Sequence, residues 1–230
     1  MGTLDGWTVA FDLDGTLVET APDLLRALGE TLAHAGIPHG DLGGYRMFVG
    51  HGARALVERA SAHVGVMHAP ERLSDLTEYF VERYAADIAR FSRPYDGVED
   101  ALTLLAAEGA TLSVCTNKRT GLSVQLLTEL GLIGRFAAVV GADSVPARKP
   151  DPGHVAAAVE GAGGVLARSV MVGDSATDVA AAKAAGVPSI AMSFGYSDVP
   201  VEALGADLVL DAFAQLPAAV SRIVANAGRS

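Results

Sequence analysis

Residues 7–20 read WTVAFDLDGTLVET. An unbroken apolar run ends in two aspartates, Asp12 and Asp14, with Gly15 and Thr16 directly behind them. A continuous run without alternation reads as a strand covered on both faces. Two carboxylates at its end repel each other. The placement is sensible when a cation sits between them, or when one carboxylate attacks and the other moves protons.

Five more short apolar runs follow: TLSVCT (111–116), AAVVG (137–141), SVMVG (169–173), PSIAM (188–192) and ADLVL (206–210). Helical patterns lie between them. DALTLLAAEG is one, and GLSVQLLTELG, stopped by Gly131, is another. SATDVAAAKAAG runs from a capping candidate, Ser175, to Gly186. This alternation predicts an α/β fold, a doubly wound parallel sheet of Rossmann-like form. From about Glu19 to Phe91 the rhythm breaks. That region carries only helical patterns: APDLLRALGETLAHAG, ARALVERASAHVG and PERLSDLTEYFVERYAADIARF. It reads as an inserted small α-helical cap over residues 19–91, with residues 1–18 and 92–230 forming the core. Hinges are expected near residues 18–20 and 90–98, and such an arrangement makes a closable cleft.

Composition narrows the partners. The chain has 230 residues, half of them hydrophobic, and a formal net charge of −10. A surface this acidic argues against nucleic acid as a partner. A single cysteine, Cys115, allows no internal disulfide. No apolar stretch reaches the ~18 residues of a membrane span, so no membrane partner is expected. The N-terminal residues lack the pattern of a signal peptide, and a cytoplasmic location is expected.

In an open parallel sheet, ligands bind beyond the carboxyl ends of the strands. Four such ends converge here. One carries Asp12 and Asp14, a second Thr116, Asn117 and Lys118. A third leads to Lys149 in SVPARKPDP, and a fourth to Asp174, Ser175 and Asp178. Converging carboxylates suit a hard cation such as Mg²⁺. Lysine, threonine and backbone N–H groups suit a phosphate beside it. Singly, each residue has an ordinary reading as a helix cap, turn former or surface lysine. Jointly, in a chain with three lysines, they read as a site where Asp12 attacks phosphorus and Asp14 moves protons.

VAFDLDGT, VCTN, RKPDP and MVGDSATD stand in that order over residues 9–178. The set resembles the four motifs of the haloacid dehalogenase superfamily of phosphohydrolases. The resemblance implies that Asp12 is the nucleophile and Asp14 the acid/base. It implies Mg²⁺ held by Asp12, Asp174 and the backbone carbonyl of Asp14, with Ser175 and Asp178 supporting the metal's surroundings. It further implies phosphate held by Thr116, Asn117 and Lys149. DGTLVETAPDL, FVGHGARALVERA, TNKRT and SFGYS resemble the phosphoglycolate phosphatase branch of the superfamily. The expected substrate is therefore a small phosphate ester, 2-phosphoglycolate, yielding glycolate and phosphate. A phosphatase or mutase acting on a sugar phosphate or pyrophosphate remains the alternative, because the core motifs are shared.

Other chemistries of the superfamily fit less well. The dehalogenases lack an acid at the position of Asp14. The phosphonate-cleaving members need a cap lysine, and residues 19–91 hold none. A receiver-like signalling module shares the acidic cluster but is about half this length and has no helical insert. Discrimination of the leaving group falls to the cap stretch FVGHGARAL. There Gly50, His51, Gly52 and Arg54 form a glycine turn and helix start suited to an anionic tail, with Arg46 as a further cation nearby.

Overall fold

The computed structural model describes residues 2–197 and 199–227. β1 (Thr8–Phe11) leads through the aspartate turn to β2 (Val18–Glu19). Helices α1 (Ala21–His34), α2 (Ala53–His63) and α3 (Pro70–Ala86) follow, with a 3-10 segment over Gly43–His51 before α2. The chain returns through β3 (Arg93–Pro94), antiparallel to β2. Helices and strands then alternate: α4 (Val98–Ala107), β4 (Thr111–Cys115), α5 (Thr120–Glu129), β5 (Ala138–Val140), α6 (Pro152–Gly161) and β6 (Ser169–Gly173). They end with α7 (Ala176–Ala185), β7 (Ser189–Met192), β8 (Leu208–Leu210) and α8 (Leu216–Ala227).

Six strands form one parallel sheet in the order β5-β4-β1-β6-β7-β8. β1 sits between β4 and β6, and the winding reverses there. Phe11 pairs in register with Val114 on one side and Val172 on the other. Asp12, Thr116 and Asp174 therefore emerge at one edge, at the switch point where α/β sheets bind ligands. Ala10, Cys115 and Met171 are buried against Val155 of α6 and Ala181 of α7. Val9, Phe11 and Val114 face the other side with Leu102 of α4 and Val220 of α8. Burial on both faces explains why these strands read as continuous apolar runs.

The helical insert buries Leu24 and Leu28 of α1 against Leu73, Leu76 and Phe80 of α3. Among the described residues no helix is long and apolar enough to cross a membrane. Three details differ from the sequence reading. The pattern of α3 continues to Phe91, but the helix stops at Ala86. Asp23, in the first turn of α1, accepts hydrogen bonds from Phe91 N, Ser92 N and Ser92 Oγ at 2.8, 2.8 and 2.7 Å, and so anchors the returning chain. The two-residue strands β2 and β3 tie the two crossings together, and they are too short to show any period. Helices α6 and α8 are absent from the sequence reading; α6 carries weakly contrasting residues on its buried face and leaves little amphipathic signal.

Candidate active site at the switch point of the sheet

Gly15 makes the aspartate turn possible. Its φ is +84°, and a Cβ there would lie 2.6 Å from Asp174 Oδ2. A left-handed backbone in such close approach leaves room for glycine alone. Thr16 Oγ1 then donates to Asp174 Oδ1 at 2.6 Å, and the Tyr196 backbone N–H donates to Asp174 Oδ2 at 2.6 Å.

Lys149 is the hub behind the turn, 2% exposed. Its Nζ donates to Cys115 O and to Asp178 Oδ1, each at 2.6 Å, and lies 3.0 Å from Asp12 Oδ1. Asp178 accepts from the N–H and Oγ of Ser175 at 3.0 and 2.6 Å, which caps α7 while fixing the partner of Lys149. Asp178 thus both caps α7 and pairs with Lys149. Burial works against the Lys149 ammonium, but Asp12 and Asp178 outweigh it and hold its pKa above the usual range. Burial pushes Asp12 up to about 6, against the pull of Lys149 and with Asp178 and Asp14 adding to the rise. Asp174 is driven well above the carboxylate range by burial, then by Asp178 and Asp12.

Oxygens of Asp12, Asp174 and Asp178 approach within 4.8 Å of one another. Asp12 Oδ1 is buried and, apart from its ion-pair contact with Lys149, has no hydrogen-bond partner. Together with Asp14, four carboxylates face two ammonium groups, those of Lys118 and Lys149. The deficit of two positive charges, the uncommitted oxygen and the all-oxygen donor set fit a divalent cation.

Asp14 points away from this triad. Lys118 Nζ lies 2.8 Å from each of its oxygens. Lys118 is 9% exposed, and its ammonium sits 4.5 Å from the Tyr84 ring centroid. Thr116 Oγ1 accepts from Lys118 N at 3.2 Å, and Asn117 Nδ2 donates to Lys149 O at 3.2 Å. Thr116, Asn117, Asp12 and Asp14 line a cavity of about 260 Å³ between the insert and the core. Gly50, Gly52 and Arg54 line its other wall, whereas His51 faces a smaller adjoining cleft shared by Asp12, Asp14 and Asp174. Arg46 is directed elsewhere: it pairs with Glu19 at 2.5 Å and lies over the Tyr196 ring.

Three residues to which the sequence reading gave no individual role complete the site. Lys118 is one of the three lysines, and that scarcity is its signal. His154 accepts from Lys149 N at Nδ1 (3.1 Å) and faces Val140 O through Nε2 (3.1 Å). Burial lowers its pKa to about 4, with Lys149 adding, so the ring is neutral. Tyr196 Oη donates to Glu19 at 2.6 Å and accepts from Thr20 N and Ala21 N at 2.7 and 2.9 Å, joining the site to the insert's first crossing. Tyr196 lies within SFGYS, whereas no sequence pattern marks His154.

The family model of the haloacid dehalogenase-like hydrolases matches residues 9–192. A phosphoglycolate phosphatase of Caulobacter vibrioides is 50% identical over 216 residues, covering 94% of this chain and 91% of its own. A predicted phosphoglycolate phosphatase from Haemophilus somnus 129pt has the same fold, with a TM-score of 0.85 at 28% identity over 94% of this chain and 97% of that one. CbbY from Rhodobacter sphaeroides, solved in complex with phosphate, gives a TM-score of 0.78 at 29% identity over 91% and 95% of the two chains. A match that runs from β1 through β7, over the residues that build the site, makes the chain a member of the haloacid dehalogenase-like hydrolase family.

Proposed function

We propose that this hydrolase is a Mg²⁺-dependent phosphoric monoester hydrolase that works through an aspartyl phosphate, with 2-phosphoglycolate as its substrate. The observation that carries the reading is Asp12. Its carboxylate follows the central strand, borders the cavity, and keeps one buried oxygen with no hydrogen-bond partner beyond its ion-pair contact with the Lys149 ammonium. A nucleophile needs such an oxygen.

In this mechanism Asp12 attacks phosphorus and the ester P–O bond breaks. Asp14 gives its proton to the leaving oxygen, and the glycolate end departs as an alcohol. Asp14, now a carboxylate, takes a proton from a water that attacks the phosphoryl group on Asp12, releasing phosphate and restoring both residues. Lys149, 3.0 Å from Asp12, offsets negative charge on the transferring group, and the Thr116 hydroxyl and Asn117 amide orient it. Mg²⁺, bound by Asp12, Asp174 and the backbone carbonyl of Asp14, supplies further positive charge to that group. Ser175 and Asp178 fix Asp174 and Lys149 in place. Residues 19–91 serve as a cap that closes over the leaving group and excludes water.

The relatives named phosphoglycolate phosphatase support the choice of substrate, and so do the cations around the cavity in a chain of net charge −10. Gly50, His51, Gly52 and Arg54 are assigned to the substrate's carboxylate end. The test is a panel of 2-phosphoglycolate, sugar phosphates, pyrophosphate and nucleotides, each with Mg²⁺ and after exhaustive chelation. Phosphoglycolate hydrolysis lost on chelation is the expected result. Activity unchanged by chelation would contradict the metal assignment. A preference for sugar phosphates would overturn the substrate while leaving the phosphoryl chemistry in place.

A further inference from the structure

We infer that Lys118 is a specificity-determining residue: its ammonium binds Asp14 before substrate enters and then binds the carboxylate next to the leaving oxygen. The inference rests on the phosphoglycolate reading above and assigns the recognition to a residue of the core.

The geometry is specific. Lys118 follows the end of β4, is 9% exposed, and lines the cavity beside Asp14. Its Nζ lies 2.8 Å from both oxygens of Asp14, and among the described residues no third acceptor reaches it. An ammonium has three donors and no acceptor capacity, so part of its donor capacity is unspent. Buried charges of this kind are costly unless they are paired. The Tyr84 ring, 4.5 Å away on α3, steadies the ammonium from the insert side. The ligand expected beside it is an anion.

The position of that anion follows from the chemistry. Asp14 must contact the ester oxygen to protonate it. In 2-phosphoglycolate a single methylene separates that oxygen from the carboxylate. A group that touches both oxygens of Asp14 therefore lies within reach of the carboxylate. When the carboxylate takes one contact of Lys118, an Asp14 oxygen is released toward the ester oxygen. An ester with a neutral tail offers Lys118 nothing, and Asp14 stays held. Arg54 reaches the cavity from the cap and is exposed; Lys118 reaches it from below and is buried.

The test compares kcat/KM for 2-phosphoglycolate and for ethyl phosphate in the wild type and in Lys118→Met, which keeps the apolar stem and removes the charge. Losing a charge-assisted contact in a closed site predicts a ratio that falls by about 10- to 100-fold. A residue that only orients Asp14 would depress both substrates by the same factor, and equal losses would overturn the inference. Lys118→Gln carries the same comparison if the methionine variant does not fold, as read from its thermal unfolding. A wild type with no preference for phosphoglycolate over ethyl phosphate would defeat the substrate reading and this inference together. A wild-type preference that survives in both variants would defeat the inference alone.

Discussion

The two walls of the cavity are built on opposite plans. On the sheet edge Lys149, Asp174 and Asp178 are 1–2% exposed and bound to one another or to nearby backbone. On the facing wall the side chain of Arg54 is exposed and has no ion pair or hydrogen bond among the described residues. The first wall is organised before substrate arrives, so little reorganisation is left for the reaction itself. The second leaves Arg54 open to a partner from a ligand. Each plan suits what the wall handles. In the proposed mechanism the buried wall acts on the phosphoryl group common to all substrates, and Arg54 of the exposed wall, with Lys118 from below, meets the tail that distinguishes them.

Breaking the buried wall should cost the most. Asp12→Asn removes the nucleophile and is expected to lower kcat by at least ~10⁴-fold on every ester. It should remain folded, because it removes a buried charge, and circular dichroism would check this. Asp14→Asn keeps the nucleophile and loses proton transfer, with an expected loss of ~10²–10⁴-fold. Esters with good leaving groups should suffer less, as a series of aryl phosphates would measure. Arg54→Ala tests the exposed wall. Its kcat/KM for phosphoglycolate should fall by roughly tenfold while ethyl phosphate hydrolysis hardly changes; equal losses would make Arg54 structural.

The walls should also differ in how stability responds to pH. His154 is buried neutral, with its pKa lowered from 6.5 to about 4. A lowered histidine pKa means that the unfolded chain binds the proton more readily. The resulting stabilisation is complete above pH 6.5 and is lost as pH falls through 4. Discounted for solvent screening, it amounts to on the order of 2 kcal/mol. Urea unfolding of wild type and His154→Gln should therefore give stabilities that diverge as pH rises from about 4 to about 6.5. Arg54→Ala should track the wild type across the same range. A constant offset between wild type and His154→Gln would remove His154 from the buried network.

The same contrast governs what the sequence discloses. VAFDLDGT could be read because a strand covered on both faces is continuously apolar and its end is marked by charge. Asp12, Asp14, Lys149 and Asp174 were legible for that reason, since the sheet's register brings separate strand ends to one edge. Side chains whose partners come from distant segments were not. Asp23 holds residues 91 and 92 across the insert, and Arg46 pairs with Glu19 instead of facing the cavity. Lys118 has the look of a surface lysine until Tyr84 of α3 closes over it. His154 supports Lys149 through backbone and ring contacts that leave no trace in composition or period.

The central claim is that the buried wall reacts covalently through Asp12. Mixing the wild-type protein with Mg²⁺ and 2-phosphoglycolate, quenching in acid within a turnover and mapping peptides by mass tests it directly. One phosphoryl group is predicted on the peptide carrying Asp12, absent from the Asp12→Asn variant and accumulating in proportion to the slowed second step in Asp14→Asn. A phosphoryl group on another residue, or its persistence in Asp12→Asn, would contradict it.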